Sequence, residues 1–144
     1  MMRILWIGGV FAAATACGST PTLPLPVAGS PPTVYAGTIT DSISGTGSLT
    51  VTVSSAGSST GGTWLETFPG KNARSRFVNG TLNGSSYTAT VSDCIETASQ
   101  SCFPNCRQTL TGTLTASALS GSYAEVPGDS CATGRSGNVS TAKQ

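Results

Sequence analysis

The chain predicts an all-β domain, specifically a small eight-stranded antiparallel up-and-down barrel, with a β-sandwich as the alternative. From about residue 34 onward, apolar residues alternate with serine and threonine at a period of two, which is typical of strands with one buried and one wet face. No segment shows the i, i+3, i+4 apolar spacing of an amphipathic helix. Short Gly, Ser, Asn and Thr segments separate the alternating runs, which favours consecutive hairpins and hence a meander.

Each predicted strand is bounded by such turn residues. Leu49, Val51 and Val53, for example, alternate with serines and threonines in the second run. The eight predicted strands are Val34–Ile43, Ser48–Ala56, Gly61–Phe68, Arg74–Leu82, Ser86–Asp93, Arg107–Ala116, Ala118–Val126 and Arg135–Ala142.

A five-residue pattern, apolar-x-Gly-x-apolar, recurs along the domain at Tyr35–Ile39, Val78–Leu82, Leu110–Leu114 and Leu119–Tyr123. In each copy the glycine has the same inward parity as its apolar neighbours. A missing side chain there lets a strand coil sharply, so these glycines are interpreted as bending positions of a small barrel.

The phrases Gly62-Thr63-Trp64 and Leu119-Ser-Gly-Ser-Tyr123 resemble those of avidin-like and wider calycin barrels. The resemblance implies an eight-stranded up-and-down meander that holds a ligand at one mouth. An avidin pocket needs several tryptophans, and Trp64 is the only one after the N-terminal segment, so biotin binding is not implied.

The N-terminal segment has the organisation of an export signal. Arg3 is followed by the apolar run Ile4–Ala13 and by Ala14-Thr15-Ala16 directly before Cys17, which resembles a bacterial lipobox. We therefore expect a signal peptide over 1–16, a lipid on Cys17, a Pro/Ser/Thr-rich tether over 17–33 and the barrel over 34–144. Ordinary signal cleavage, which leaves a free thiol at Cys17, is the alternative.

These features predict an exported lipoprotein anchored in the bacterial cell envelope. Gly18 stands where an aspartate would resemble an inner-membrane retention signal, so we expect the outer membrane. The first predicted strand begins at the end opposite the charged mouth described below. The mouth should therefore face away from the membrane.

Composition excludes several function classes. Seven basic and six acidic residues give a net charge of +1, which lacks the basic excess of a nucleic-acid-binding domain. The chain has no histidine, so a serine triad or a Cys-His pair cannot be assembled. We therefore expect no enzyme activity, no cofactor, no metal site and no nucleic-acid partner.

The cysteine count indicates disulfides. Of five cysteines, assigning Cys17 to the lipid leaves Cys94, Cys102, Cys106 and Cys131, an even set in an oxidising compartment. Placement on the predicted meander favours Cys106 with Cys131 and Cys94 with Cys102 among the three possible connectivities.

In a meander, the ends of odd strands and the starts of even strands meet at one rim, and the charged residues fall there. Four carboxylates share the parity of inward apolar residues. In a purely structural interpretation, these residues form a rim of ion pairs worth roughly 0–1 kcal/mol each. In the alternative interpretation, the rim faces a ligand. The candidate binding mouth comprises Asp41, Trp64, Glu66, Arg76, Asp93, Phe103, Arg107, Glu125 and Arg135.

Three functions remain open from the sequence. The first is a non-catalytic binding module for a small apolar or amphipathic ligand, with an interior left partly open by Gly37, Gly80, Gly112 and Gly121. In the second, Trp64 and other large side chains fill the interior, and the mouth binds an envelope protein or inhibits an envelope hydrolase. The third is a purely structural envelope protein.

Overall fold

The structure is a computed structural model that describes residues 30–93, 106–129 and 132–144. Several predictions lie outside these residues: the signal peptide, the lipid on Cys17, nearly all of the tether, and the positions of Cys94, Cys102, Phe103 and Cys131. Among the described residues no helix is long and apolar enough to cross a lipid bilayer.

Eight strands form one closed antiparallel barrel in sequence order. Each strand pairs with the next, and β1 pairs with β8, so the predicted up-and-down barrel is confirmed and the sandwich is excluded. The strands are β1 (Thr33–Asp41), β2 (Gly45–Ala56), β3 (Ser59–Thr67), β4 (Arg74–Asn83), β5 (Ser86–Ser92), β6 (Arg107–Leu114), β7 (Ala118–Glu125) and β8 (Ser136–Lys143).

The largest departure from the predicted bounds is the turn between β1 and β2. Pairing continues to Asp41 opposite Gly45, so β1 ends two residues early and β2 begins three residues early. One Asp41 oxygen accepts hydrogen bonds from the backbone N–H groups of Ile43 and Ser44, and Gly45 adopts φ +77°. These two features close a tighter turn than the sequence pattern predicts.

Alternating inward side chains fill the barrel. Trp64 and Tyr87 are fully buried, and Trp64 meets Tyr123 edge-on, with ring centroids 6.2 Å apart. The remaining apolar core comprises Tyr35, Ile39, Leu49, Val51, Val53, Phe68, Val78, Ala89, Val91, Leu110, Leu114, Leu119 and Val139.

The inward glycines allow close approach of the neighbouring strands, but they do not open the interior. Gly112 and Gly121 face each other across β6 and β7. A Cβ on Gly112 would lie 2.0 Å from the Ser120 carbonyl oxygen, and one on Gly37 would lie 2.2 Å from that of Ser140. The expectation of a partly open interior at these positions is wrong, because the curved backbone of the next strand takes up the space.

The two ends of the barrel differ. At one end, tight turns at 57–58, 84–85 and 115–117 lie beside the start of β1 and the C-terminal residue. At the other end, called the mouth below, lie the connections after β1, β3, β5 and β7. The mouth is therefore opposite the point where the chain enters the domain.

Candidate binding site at the mouth of the barrel

The inward positions nearest the mouth are charged or polar rather than apolar. Six of these side chains form a hydrogen-bonded layer above the apolar core, which we call the charged layer: Asp41, Glu66, Arg76, Asp93, Gln108 and Arg135. Two arginines organise it, each bridging strands that are not neighbours.

Arg135, just before β8, organises the first half of the charged layer. Its guanidinium pairs with Asp41 through Nε and with Glu66 through Nη2, the latter at 3.2 Å. It also lies over the Phe68 ring, 5.3 Å from the centroid. The other Glu66 oxygen accepts a 2.8 Å hydrogen bond from the Trp64 indole. Burial acts to lower the pKa of Arg135, but these carboxylates outweigh it and raise that pKa.

Asp41 has the most complete set of hydrogen bonds in the layer. One oxygen accepts the Ile43 and Ser44 N–H groups, and the other accepts the Tyr123 hydroxyl at 2.6 Å and Arg135 Nε. Burial acts to raise the pKa of Asp41, but these hydrogen bonds prevail and lower it to about 2. The carboxylate is therefore ionised at neutral pH. The pKa of Tyr123 rises through burial and its bond to Asp41, so the phenol remains a donor.

Arg76 on β4 organises the second half. Its side chain is only 2% exposed; Nε pairs with Asp93 at 3.0 Å, Nη1 donates to the Gln108 amide oxygen, and Nη2 donates to the Cys106 carbonyl at 3.0 Å. Burial and the nearby charge of Arg74 lower the pKa of Arg76. The arginine thus ties β4 to β5 and to the start of β6.

Two further arginines lie closer to solvent. Arg74 is 44% exposed and binds both oxygens of Asp93, while Arg107 is 41% exposed and binds both oxygens of Asp129. Hydrogen bonds from the Arg107 side chain and backbone lower the pKa of Asp129. Four arginines thus have their ionic partners in place.

Glu125, the last residue of β7, is held differently. Its side-chain oxygens accept hydrogen bonds from the backbone N–H groups of Thr133 and Arg135 and from the Thr133 hydroxyl. Within the described residues it forms no ion pair with an arginine or lysine. Its orientation is therefore fixed while its charge lacks a cationic partner in this part of the chain.

A cavity of about 260 Å³ lies on the outer side of the charged layer, within the mouth. Arg76, Gln108 and Arg135 form part of its floor. Arg74, Arg107, Glu125, Asp129, Ile43, Ser44, Cys106, Ala132 and Thr133 complete its lining.

The structure brings most of the predicted mouth residues together. Among the nine predicted residues, Arg76, Arg107, Glu125 and Arg135 line the cavity. Asp41 and Glu66 contact Arg135, Asp93 contacts Arg76, and Trp64 donates to Glu66. Phe103 lies outside the described residues. The rim interpretation is right about ion pairs, but those of Arg76 and Arg135 are more buried than a surface rim implies.

The nine predicted residues omit three that take part in this arrangement: Arg74, Gln108 and Asp129. Gln108 is 2% exposed and holds Arg76, and Asp129 fixes Arg107. Gln108 shares the inward parity of Leu110, so the period-two pattern could have identified it. Asp129 lies in a connection without such periodicity. Of the four domain cysteines Cys106 alone is described, and it is disulfide-bonded; the connectivity stays a prediction.

The chemistry that this site offers is recognition of polar groups. Over residues 30–93, 106–129 and 132–144, no three His, Cys, Asp or Glu side chains are arranged to hold a metal ion. No family model, curated protein or solved structure shows significant similarity to the chain. The interpretation of the mouth therefore depends on its own geometry.

Proposed function

We propose that this chain is a non-catalytic binding module that holds a small polar ligand in the mouth cavity. The observation that carries the proposal is the cavity itself, because its lining combines four positioned arginines with two fixed carboxylates. Side chains held by existing hydrogen bonds lose little entropy when a ligand binds, so such a site is preorganised.

The packing below the cavity favours a polar ligand over the apolar ligand expected from the sequence. Large side chains occupy the interior, and the charged layer lies between them and the mouth. An apolar molecule entering the barrel would have to displace core side chains and separate buried ion pairs. Leaving one partner of a buried pair uncompensated costs about 3–5 kcal/mol, more than burial of a small apolar group supplies.

A protein partner is the second candidate, and one observation favours it. Ile43 in the β1–β2 turn is 60% exposed and borders the cavity. An exposed aliphatic side chain beside arginines is the kind of surface that a protein partner covers. In that arrangement a polar side chain of the partner would enter the cavity.

The predicted export and lipid anchor belong to the same proposal. A lipid on Cys17 and a tether up to β1 would place the barrel with its mouth pointing outward, because β1 starts at the opposite end. Mass spectrometry of the mature N-terminus tests this. A lipid-modified Cys17 at the mature N-terminus is the expected species, whereas an unmodified Cys17 or a chain still beginning at Met1 would contradict it.

The binding proposal is tested by nuclear magnetic resonance of the ¹⁵N-labelled protein. The probes are acetate, phosphate, butylamine, glycine and dodecanoate, each titrated separately. We expect polar probes to shift the Arg76 and Arg135 Nε–H signals and the amides of Ser44 and Thr133. The amides of Ser58 and Ser85 at the opposite end serve as internal controls. Shifts confined to the control end, or none at the mouth with any probe or with envelope extract, would contradict the proposal.

A further inference from the structure

The charges around the mouth cavity do not all have partners. Each of the four lining arginines has a carboxylate: Arg74 and Arg76 share Asp93, Arg107 has Asp129, and Arg135 has both Asp41 and Glu66. Four carboxylates thus balance the four arginines. Glu125 is a fifth carboxylate, so these described groups together carry one excess negative charge.

Two of the arginines that line the cavity have uncommitted donors. Within the described residues, Arg74 and Arg135 each use Nε and Nη2 for their ion pairs, and Nη1 of each forms no hydrogen bond. Arg74 lies opposite Glu66 in the backbone register of β3 and β4, and Arg135 reaches Glu66 through its side chain. Both arginines line the cavity, and Nη1 of each is left over. An anion there would meet donors whose charge is already neutralised by the described carboxylates.

Glu125 supplies the opposite subsite. Its carboxylate lines the same cavity and is held by Thr133 and by the Arg135 backbone. A fixed carboxylate without a cation among the described residues attracts a protonated amine. A simple anion would use only the arginine donors and would approach a site that already has a negative excess. A simple amine would leave those donors unused.

We propose that the cavity binds a small zwitterion, a molecule that carries both a carboxylate and a protonated amine. The carboxylate accepts from Arg74 and Arg135 Nη1, and the amine donates to Glu125. This inference rests on the proposed function and names the ligand class of that site. The cavity volume of about 260 Å³ is below the range of pockets for drug-sized ligands, roughly 300–1,000 Å³, and suits a molecule of amino-acid size.

Isothermal titration calorimetry on the mature, disulfide-intact protein tests the inference. The ligands are the ω-amino acids glycine, β-alanine, γ-aminobutyrate and 6-aminohexanoate, whose two charges are increasingly far apart. Butyrate and butylamine are the matched ligands with only one charge. We expect one member of the series to bind at least tenfold more tightly than either singly charged analogue, since two charge-assisted contacts act together.

Two variants separate the subsites, and two more serve as controls. Arg74→Gln should reduce zwitterion affinity by roughly tenfold while leaving butylamine affinity within twofold. Glu125→Gln should reduce zwitterion affinity by a similar factor while leaving butyrate affinity within twofold. Lys71→Gln is the control, because it removes one positive charge at the same end but lies outside the cavity lining. Glu125→Asp keeps the charge and should retain more affinity than Glu125→Gln.

The outcomes are distinct. A zwitterion that binds no more tightly than the better singly charged analogue overturns the inference; if that analogue still shifts the mouth signals, the binding module stands. Equal losses in Lys71→Gln and Arg74→Gln also overturn it, because they would indicate general electrostatics. If a variant fails to fold, the comparison of ligands on the unaltered protein decides alone.

Discussion

The apolar core and the charged layer are built from the same strands but hold the barrel together in different ways. In β3, for example, Trp64 and Glu66 are successive inward residues; the first packs against the core and the second binds Arg135. In the core the stabilisation is non-directional burial. In the charged layer it depends on complete sets of partners, as at Asp41, where both oxygens are fully used.

This contrast indicates which part of a small barrel can bind a ligand. A filled apolar core leaves nothing for a ligand to recognise. A charged layer fixed from below presents directional groups on its upper side, and the cavity is there.

The largest effect is expected from removing the cation of the charged layer. Arg135→Met leaves Asp41 and Glu66, both buried, without their shared cation, and should lower the free energy of unfolding by about 3–5 kcal/mol. Denaturant unfolding measures it. Adding Asp41→Asn and Glu66→Gln to Arg135→Met should recover part of the loss, because the remaining groups are neutral. A loss below about 1 kcal/mol for Arg135→Met, as for a surface pair, would show that the layer is not structural.

The next effect concerns the curvature of the barrel. Gly112→Ala places a Cβ 2.0 Å from the Ser120 carbonyl oxygen and should cost about 1–3 kcal/mol or more, since the backbone must shift. Gly61→Ala is the matched control in β3, where the nearest atom to a new Cβ is Asn79 Oδ1 at 3.6 Å. Thermal unfolding of both variants compares them. Equal effects would contradict the role of close strand approach at Gly112.

The third effect is pH dependence. The pKa of Asp41 is lowered from 3.8 to about 2 in the folded state, so its stabilisation is present above about pH 4 and is lost as the pH falls towards 2. The linked loss is about 2 kcal/mol. In Asp41→Asn, the unfolding free energy should fall by about 2 kcal/mol less between pH 4 and pH 2 than in the unaltered protein. If the unfolding free energy of Asp41→Asn depended on pH between 5 and 2 as that of the unaltered protein does, Asp41 would not be an ionised, fully bonded carboxylate.

The smallest effect on stability is expected at the solvent side of the layer. Arg74 is 44% exposed, so Arg74→Gln should change the free energy of unfolding by at most about 1 kcal/mol despite the ion pair with Asp93. Denaturant unfolding of Arg74→Gln, with Lys71→Gln as the control, measures this change. A loss as large as that of Arg135→Met would remove the distinction between the buried layer and the outer arginines.

The sequence predicts the fold well because period-two alternation and hairpin turns are local signals. All eight strands and the barrel follow from it, and the inward direction of Asp41 and Glu66 follows from parity. The ion-pair partners of the charged side chains could not be predicted in this way. That Arg135 reaches Glu66 on β3, or that Asp129 holds Arg107, depends on side-chain reach across a closed barrel, which no local pattern encodes. Glycine parity predicted bending but not the loss of interior space.

One titration distinguishes binding above the charged layer from binding within the core. Methyl signals of Val91 and Leu110, both fully buried, report on the interior, and the Ile43 methyl reports on the mouth. The protein is titrated with dodecanoate and, separately, with the tightest ω-amino acid. We expect the amino acid to shift Ile43 and leave Val91 and Leu110 in place, and dodecanoate to leave the interior signals unchanged. Saturable shifts of Val91 and Leu110 with dodecanoate would contradict the account.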